Sequence, residues 1–245
     1  MIPDFLKTAW ADVAALSLTA VTSPLTSLLS LHHPRDADGL LYHWGRGMLR
    51  AAGATHSGTG MEHIPTEGNV VFVCNHQSNY DVILFFAYVR KHTRWVAKRE
   101  LFKVPVFGTT MRLAGNIPVD RDGSESDKSR LSEAVIAVRE RVSVMFFPEG
   151  TRNSDGKLKP FKKGAAVFAI QAGVPIVPMA VSGTRNILPK GSLAIRYGQK
   201  AAIVIGEPIS TQGLTLDDRE TLTHQLEQTV ARLYAEACER SGDTP

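Results

Sequence analysis

The sequence predicts an α/β fold: a largely parallel sheet flanked by helices, with an N-terminal helical hairpin in front of it. Three observations lead there. Short apolar runs rich in Val and Ile recur from Val70 onward, and stretches with helical spacing separate them. Several of these runs are apolar throughout instead of alternating, which is the signature of strands covered on both faces. The alternation of strand and helix itself implies parallel neighbours joined by helical crossovers. A length of 245 residues suffices for one such domain with a substantial core.

The elements follow in order. The first thirty residues, "AWADVAALSLTAVTSPLTSLLSL" among them, read as a helix, although Asp12, many Ser and Thr, and Pro24 interrupt its apolar tone. A secretory signal would want a basic start and a compact apolar core, and a spanning helix about 20 predominantly apolar residues. The expectation is a helix whose apolar face rests on the protein or at the headgroup boundary of a membrane. Asp36 to about Ala52 is a second helix, with Leu40, Leu41, Trp44 and Met48 at helical spacing, after a break at "HHPRD". Residues 1–53 are thus expected to form the hairpin, and 54–245 the α/β domain.

Within that domain Val70 to Cys74 is a strand, and Val82 to Lys91 a helix. "TRWVAKREL" holds a short strand, "VFGTTMRLAG" a short helix and "NIPVDR" the end of another strand. Ser129 to Arg141 is a patterned helix with Leu131, Val135 and Val138 on one side. "VSVMFFPEG" is a buried strand running into Pro and Gly. Gly164 to Gln171 is helical, with Gly173 placed to stop it. "VPIVPMAVSG" and "AAIVIGEPI" are further strands, and Leu216 to Cys238 is a long closing helix. In such sheets ligands gather beyond the carboxyl ends of the strands.

Composition narrows the function. Hydrophobic residues at 43% and charged residues at 21% are ordinary for a globular protein and argue against wholesale disorder. The net charge of +4 suits an anionic substrate or membrane surface. No arginine-rich arm, zinc spacing or helix-turn-helix pattern points to nucleic acid. Cys74 and Cys238 are too few for a disulfide framework or a cysteine-based zinc site, so no metal is expected and a reducing compartment is. Cys74 reads as a small core residue, two positions before a more interesting neighbour.

That neighbour is His76, which ends the apolar run "VVFVCNHQSNYD" five positions before Asp81. Five residues of regular helix turn about 500°, so the two would not share a helix face. They meet if His76 sits at the strand-to-helix junction and Asp81 in the first helical turn, where the helix dipole favours a carboxylate. Asn75 and Ser78 are cap-type residues there. A carboxylate on one ring nitrogen would fix the tautomer and leave the other nitrogen as a general base. With no "GxSxG" elbow nearby, the base would act on a hydroxyl of the substrate. Further on, "FFPEGTRNSDGKLKPFKKG" brings Pro148, Glu149, Gly150, Thr151 and Arg152 to a strand end, followed by Lys157, Lys159, Lys162 and Lys163. Gly150 permits close backbone approach, Thr151 offers a hydroxyl, and Arg152 a fork suited to phosphate. The four lysines fit a solvated loop equally well. Arg121 in "GNIPVDR" and Lys98 in "WVAKREL" follow other strands, and cations at neighbouring strand ends would converge on one crevice.

Together these blocks resemble the glycerolipid acyltransferases, in particular the bacterial 1-acyl-sn-glycerol-3-phosphate acyltransferases. "NHQSNYD", "GNIPVDR", "FPEGTR" and "VPIVPMAVSGT" stand in that family's order across residues 75–184, with "AKREL" between the first two. The resemblance implies that His76 deprotonates the free hydroxyl of lysophosphatidic acid and that Asp81 orients and charge-balances it. It implies acyl-coenzyme A or acyl carrier protein as donor and co-substrate, and no other cofactor. The glycerol phosphate would be gripped by Lys98, Arg121 and Arg152, with Glu149, Gly150 and Thr151 shaping the pocket. The fourth block is linked in the family to substrate or acyl-chain binding, and on physical grounds is equally a core strand. The hairpin would hold the protein, peripheral or monotopic, at the cytoplasmic face of the inner membrane, with Arg46, Arg50, Lys91 and Arg94 toward anionic headgroups. Two rivals stand beside this reading: the same chemistry on another lyso-lipid, such as a lyso-ornithine lipid, and a lipid-binding protein without turnover.

Overall fold

A computed structural model describes residues 3–32, 35–119, 133–139 and 142–244. Eight helices are described: α1 (Asp4–His32), α2 (Asp36–Ala51), α3 (Tyr80–Tyr88), α4 (Phe107–Leu113), α5 (133–139), α6 (Gly164–Ala172), α7 (Thr184–Ile187) and α8 (Arg219–Ser241). The strands are β1 (Thr55–Thr59), β2 (Val71–Cys74), β3 (Thr93–Lys98), β4 (Ile117–Val119), β5 (Ser143–Phe146), β6 (Ile176–Ser182) and β7 (Lys200–Ile205). They form one sheet in the order β1-β7-β6-β2-β5-β3-β4, and every pair is parallel except β6 with β7. The predicted α/β class, with its largely parallel sheet and N-terminal hairpin, is the observed one.

β2 sits at the centre because its residues tolerate burial on both sides. Val71, Phe72, Val73 and Cys74 are all buried, and each large apolar side chain so placed contributes about 1.5–3 kcal/mol. Phe72 faces the core shared with α2 and α3; Val71 and Val73 face that of α5, α6 and α8. From β2 the chain crosses to β3 on one side, fills the gap with β5, and returns as β6 on the other. That reversal makes the carboxyl ends of β6, β2 and β5 a switch point.

Sequence and structure differ in small ways with clear causes. β1 carries no apolar run, since "THSGT" is a short edge strand whose residues are at best half-buried. α3 begins at Tyr80 and stops at Tyr88, because Val89 turns extended. Gly173 ends α6 in the left-handed conformation, φ 66°, as its sequence position predicts. The closing helix begins as a 3₁₀ turn, Leu216–Asp218, set by a capping box between Thr215 and Asp218. Leu131, Asp120 and Arg121 lie outside the described residues.

The hairpin helices differ sharply from one another. α2 presses on α3 at Gly45, where a Cβ would lie 2.8 Å from the carbonyl oxygen of Ile83. It sends Met48 and Leu49 into the core shared with the sheet. A boundary at residue 53 therefore marks a change in sequence character, not a break in the core. α1 is turned the other way round from an ordinary surface helix. Its buried positions are small or polar (Ala11, Ala15, Ser23, Thr26 and Ser30), while Phe5, Trp10, Val13, Leu16, Leu25 and Leu28 are exposed. By length and composition it is long and apolar enough to cross a membrane.

Candidate active site

His76 follows β2 by two residues and Asp81 is the second residue of α3. The turn between them brings His76 Nδ1 to 2.7 Å from Asp81 Oδ2. The same carboxylate oxygen accepts the backbone N–H groups of Gln77 at 2.7 Å and Ser78 at 3.0 Å. Asp81 thus fastens the turn and orients the imidazole with one set of contacts. Ser78 serves the helix start as its residue type predicts: its Oγ accepts the N–H of Tyr80 at 3.1 Å and donates to the carbonyl of Leu188 at 2.7 Å. Asn75 is not a cap. Its buried amide pairs with both the N–H and the C=O of Val181, at 2.8 and 2.9 Å, and locks β2 to β6.

The carboxylate on Nδ1 assigns that nitrogen its proton and leaves the Nε2 lone pair available. Nε2 has no partner among the described residues. The ring lies flat on Phe147, with centroids 3.9 Å apart and planes at 12°, and Phe147 in turn rests against Trp95. One face of the imidazole is therefore closed by aromatic surface. His76 keeps its side chain 15% exposed, so its edge is reachable, whereas Asp81 at 1% is not. Burial pushes the Cys74 thiol well up, reinforced by the charges of Asp81 and Glu149, which fits an inert core residue.

The "FPEGTR" block reaches the same place from β5. Gly150 takes φ 73°, a turn that sends the chain back toward β2, with the tail of Lys162 packed where a Cβ would sit. Glu149 is buried, and its oxygens are engaged by the protein itself. Oε1 accepts the N–H of His76 at 2.7 Å; Oε2 accepts the Asn153 amide at 3.0 Å and the N–H of Lys159 at 3.1 Å. Burial raises its carboxyl above the ordinary range, and those three donors offset only part of the rise. Glu149 thereby braces the His76 turn from below. Asn153 closes the brace by donating its own N–H to the carbonyl of His76 at 2.8 Å. Arg152 reaches the turn after His76, its Nη1 3.3 Å from Asn79 Oδ1. The exposed Thr151 and the carbonyl of Arg152 both lie within reach of Lys190, at 3.5 and 3.0 Å.

The predicted cations are not all equivalent. Arg152 adjoins the His76 turn. Lys98 stands at the end of β3, one strand beyond β5, and is 3.1 Å from Glu100. Arg121 falls outside the described residues. Of the four lysines after the block, Lys163 pairs with Glu220 on α8.

Residues that sequence reasoning did not select complete the cluster. Thr184, fully buried at the start of α7, donates its hydroxyl to Asp81 Oδ1. Gln77 donates to Tyr234 on α8 at 2.7 Å, and that hydroxyl donates to the carbonyl of Gly156 at 2.7 Å. Burial raises the Tyr234 hydroxyl, which keeps it a donor. Thr184 closes the "VPIVPMAVSGT" block, and its position at a strand end beside Gly183 was the available signal.

Thr184→Val removes the hydroxyl at nearly constant volume and leaves Asp81 Oδ1 without its donor, a loss of about 1–3 kcal/mol. The expected outcome is a turnover number reduced roughly tenfold with KM little changed, and recovery in Thr184→Ser. Equal rates in Thr184→Val and the parent would remove Thr184 from the cluster that positions the imidazole.

A family profile described as Acyltransferase matches residues 57–182. The chain is 37% identical over 151 residues to the chloroplastic 1-acyl-sn-glycerol-3-phosphate acyltransferase BAT2 of Brassica napus, covering 61% of this chain and 44% of that one. It thus spans less than half the length of that plant relative. It is 36% identical over 178 residues to the 1-acyl-sn-glycerol-3-phosphate acyltransferase of Escherichia coli K12, covering 71% of each. In three dimensions it is similar to the crystal structure of the 1-acyl-sn-glycerophosphate acyltransferase PlsC from Thermotoga maritima. The TM-score is 0.81 at 25% identity, covering 96% of this chain and 97% of that one.

Proposed function

The chain belongs to the acyltransferase family, and on that premise we propose that it carries an acyl group from acyl-coenzyme A or acyl carrier protein to the sn-2 hydroxyl of 1-acyl-sn-glycerol-3-phosphate, giving phosphatidic acid. The observation that carries the reading is the 2.7 Å contact of His76 Nδ1 with Asp81, with Nε2 left without a partner among the described residues at a switch point of the sheet. Nε2 takes the proton of the acceptor hydroxyl while that oxygen attacks the thioester carbonyl. The tetrahedral intermediate collapses by expelling the thiolate, which receives the proton back from the imidazolium. Asp81 balances the imidazolium while it exists, and the flat contact with Phe147 keeps the ring from turning away from the hydroxyl.

Arg152 is the described cation best placed for the acceptor phosphate, since its loop adjoins the turn that carries His76. Lys98, Arg121 and Thr151 are proposed to complete that subsite. The outward apolar side of α1 supports attachment to a membrane, and the cytoplasmic face is proposed as the one that holds the lipid acceptor.

The test follows thiol release from palmitoyl-coenzyme A with lysophosphatidic acid, a lyso-ornithine lipid and lysophosphatidylcholine as acceptors. Lysophosphatidic acid is expected to be the fastest; no acceleration over buffer by it, with another acceptor active, would replace the proposed substrate. Arg152→Ala is expected to cut kcat/KM for lysophosphatidic acid about 10–100-fold, mostly through KM. That is the scale of one charge-assisted hydrogen bond of about 1.5–3 kcal/mol. Arg152→Lys keeps the charge but loses the fork, and recovers only part of the activity.

A further inference from the structure

Besides its packing on α2, where Trp44 donates to Thr19 at 3.2 Å, α1 is held at two points about 22 Å apart along its axis. Asp12 accepts the N–H of Ile195 at 2.8 Å, and Ser27 donates to Thr110 of α4 at 3.0 Å. At the second point α4 and the segment leading into it share the exposed apolar character of α1. Leu101, Val104, Val106, Phe107 and Leu113 are all exposed within thirteen residues, with Lys103 and Arg112 exposed beside them.

The backbone at the tip of this segment is under strain. Val106 adopts φ 62°, ψ −60°, and the N–H of Phe107 donates to the carbonyl of Pro105 at 2.7 Å, closing a γ-turn of the rare positive-φ kind. Among the described residues Val106 is the one non-glycine with positive φ, and it is β-branched, the class that resists this region most. The turn holds the Val106 side chain outward, 59% exposed. Strain of this sort persists at sites that bind or switch, where surroundings over-determine it. Water alone gives no reason to keep an apolar β-branched side chain there.

We infer that residues 101–113 form a second lipid-contacting element, entering the same leaflet as α1, with Val104, Val106 and Phe107 among the acyl chains and Lys103 and Arg112 at the headgroups. This rests on the proposed membrane attachment of α1 and extends it to a segment outside the hairpin. Three features favour a bilayer over a protein partner. The patch adjoins α1, which α4 meets through the contacts of Thr110 with Ser23 and Ser27. The side of α1 turned to the protein is small and polar, so its large side chains require an apolar medium elsewhere. The charges within residues 101–113, Lys103 and Arg112, are both cationic, matching anionic headgroups, although Glu100 precedes them.

The test uses the full chain with a single environment-sensitive fluorophore on Val106→Cys, with Leu16→Cys on α1 and Gln228→Cys on α8 as references. Cys74 and Cys238 are buried and remain unlabelled. Vesicles of phosphatidylcholine and phosphatidylglycerol, three to one, are made with and without doxyl-labelled lipid. Probes at 106 and 16 are expected to be quenched by the doxyl lipid and shielded from iodide, and the probe at 228 neither. Quenching at 16 with iodide access at 106 overturns the second element and leaves α1 in place. No quenching at either position, with no flotation, removes the attachment of α1 and this inference with it. Shielding at 106 without vesicles, rising with protein concentration, identifies a second copy as the occupant and also overturns it. Val106→Asp, a change to a side chain that is 59% exposed, is expected to fold and to lower vesicle partitioning roughly tenfold.

Discussion

His76→Ala is expected to lower turnover with lysophosphatidic acid by about 10²–10⁴-fold, equivalent to about 3–5.5 kcal/mol of barrier, with little change in acceptor binding. The variant also loses the ring's contacts with Asp81 and Phe147, but its backbone N–H would still reach Glu149 and its carbonyl Asn153, so the turn keeps both braces. Asp81→Asn is expected to fall less far. An amide can keep its oxygen toward the imidazole and the two N–H donors and turn its NH₂ toward Thr184, whose hydroxyl can rotate to accept. Geometry then survives, and the charge that balances the imidazolium does not. Thiol release, with thermal unfolding as a check on folding, reads both variants. Parent-level turnover in His76→Ala would sink the general base and leave the fold assignment untouched.

Gly183→Ala is expected to cost about 2–6 kcal/mol of stability, lowering Tm by roughly 5–20 °C. Gly183 has φ 81°, and a Cβ there would lie 2.1 Å from the carbonyl oxygen of Lys200 on β7. A left-handed alanine costs about 1–3 kcal/mol, and overpacking against a fixed strand adds about as much again. Because Thr184 follows directly, any shift that relieves the clash also draws its hydroxyl away from Asp81. Turnover is therefore expected to fall together with Tm, and the loss of Tm to exceed that of Thr184→Val, which adds no overpacking. A Gly183→Ala chain that melts with the parent would mean that β7 yields without cost, against the contact described.

What the sequence made legible follows from where the information lies. β2, β5 and β6 were readable because burial on both faces demands unbroken apolar runs, and the meeting of His76 with Asp81 because its geometry is local to one turn. β1 was not, since an edge strand half in solvent has no need of such a run. Glu149 could be picked out as important, but its use of both oxygens within the protein depends on Asn153, Lys159 and the N–H of His76 converging in space. Thr184, Gln77 and Tyr234 escaped for the same reason, as ordinary polar residues whose partners lie on other elements. The outward face of α1 was hidden too, because composition reports how apolar a helix is and not which side the protein covers.

The braces on the His76 turn also set an order of events during synthesis. The proposed base and its acid are five residues apart, but Glu149 lies 73 positions beyond His76, and Thr184 103 positions beyond Asp81. At about 5–20 residues per second the ribosome needs roughly 5–20 s more to deliver the last of these contacts. In that interval the emerging chain already carries α1, whose apolar face asks for lipid, and a dyad without its supports. The proposed attachment can thus precede catalytic competence, and a chain ended before residue 149 would hold both side chains of the proposed dyad in a turn that nothing downstream has fixed.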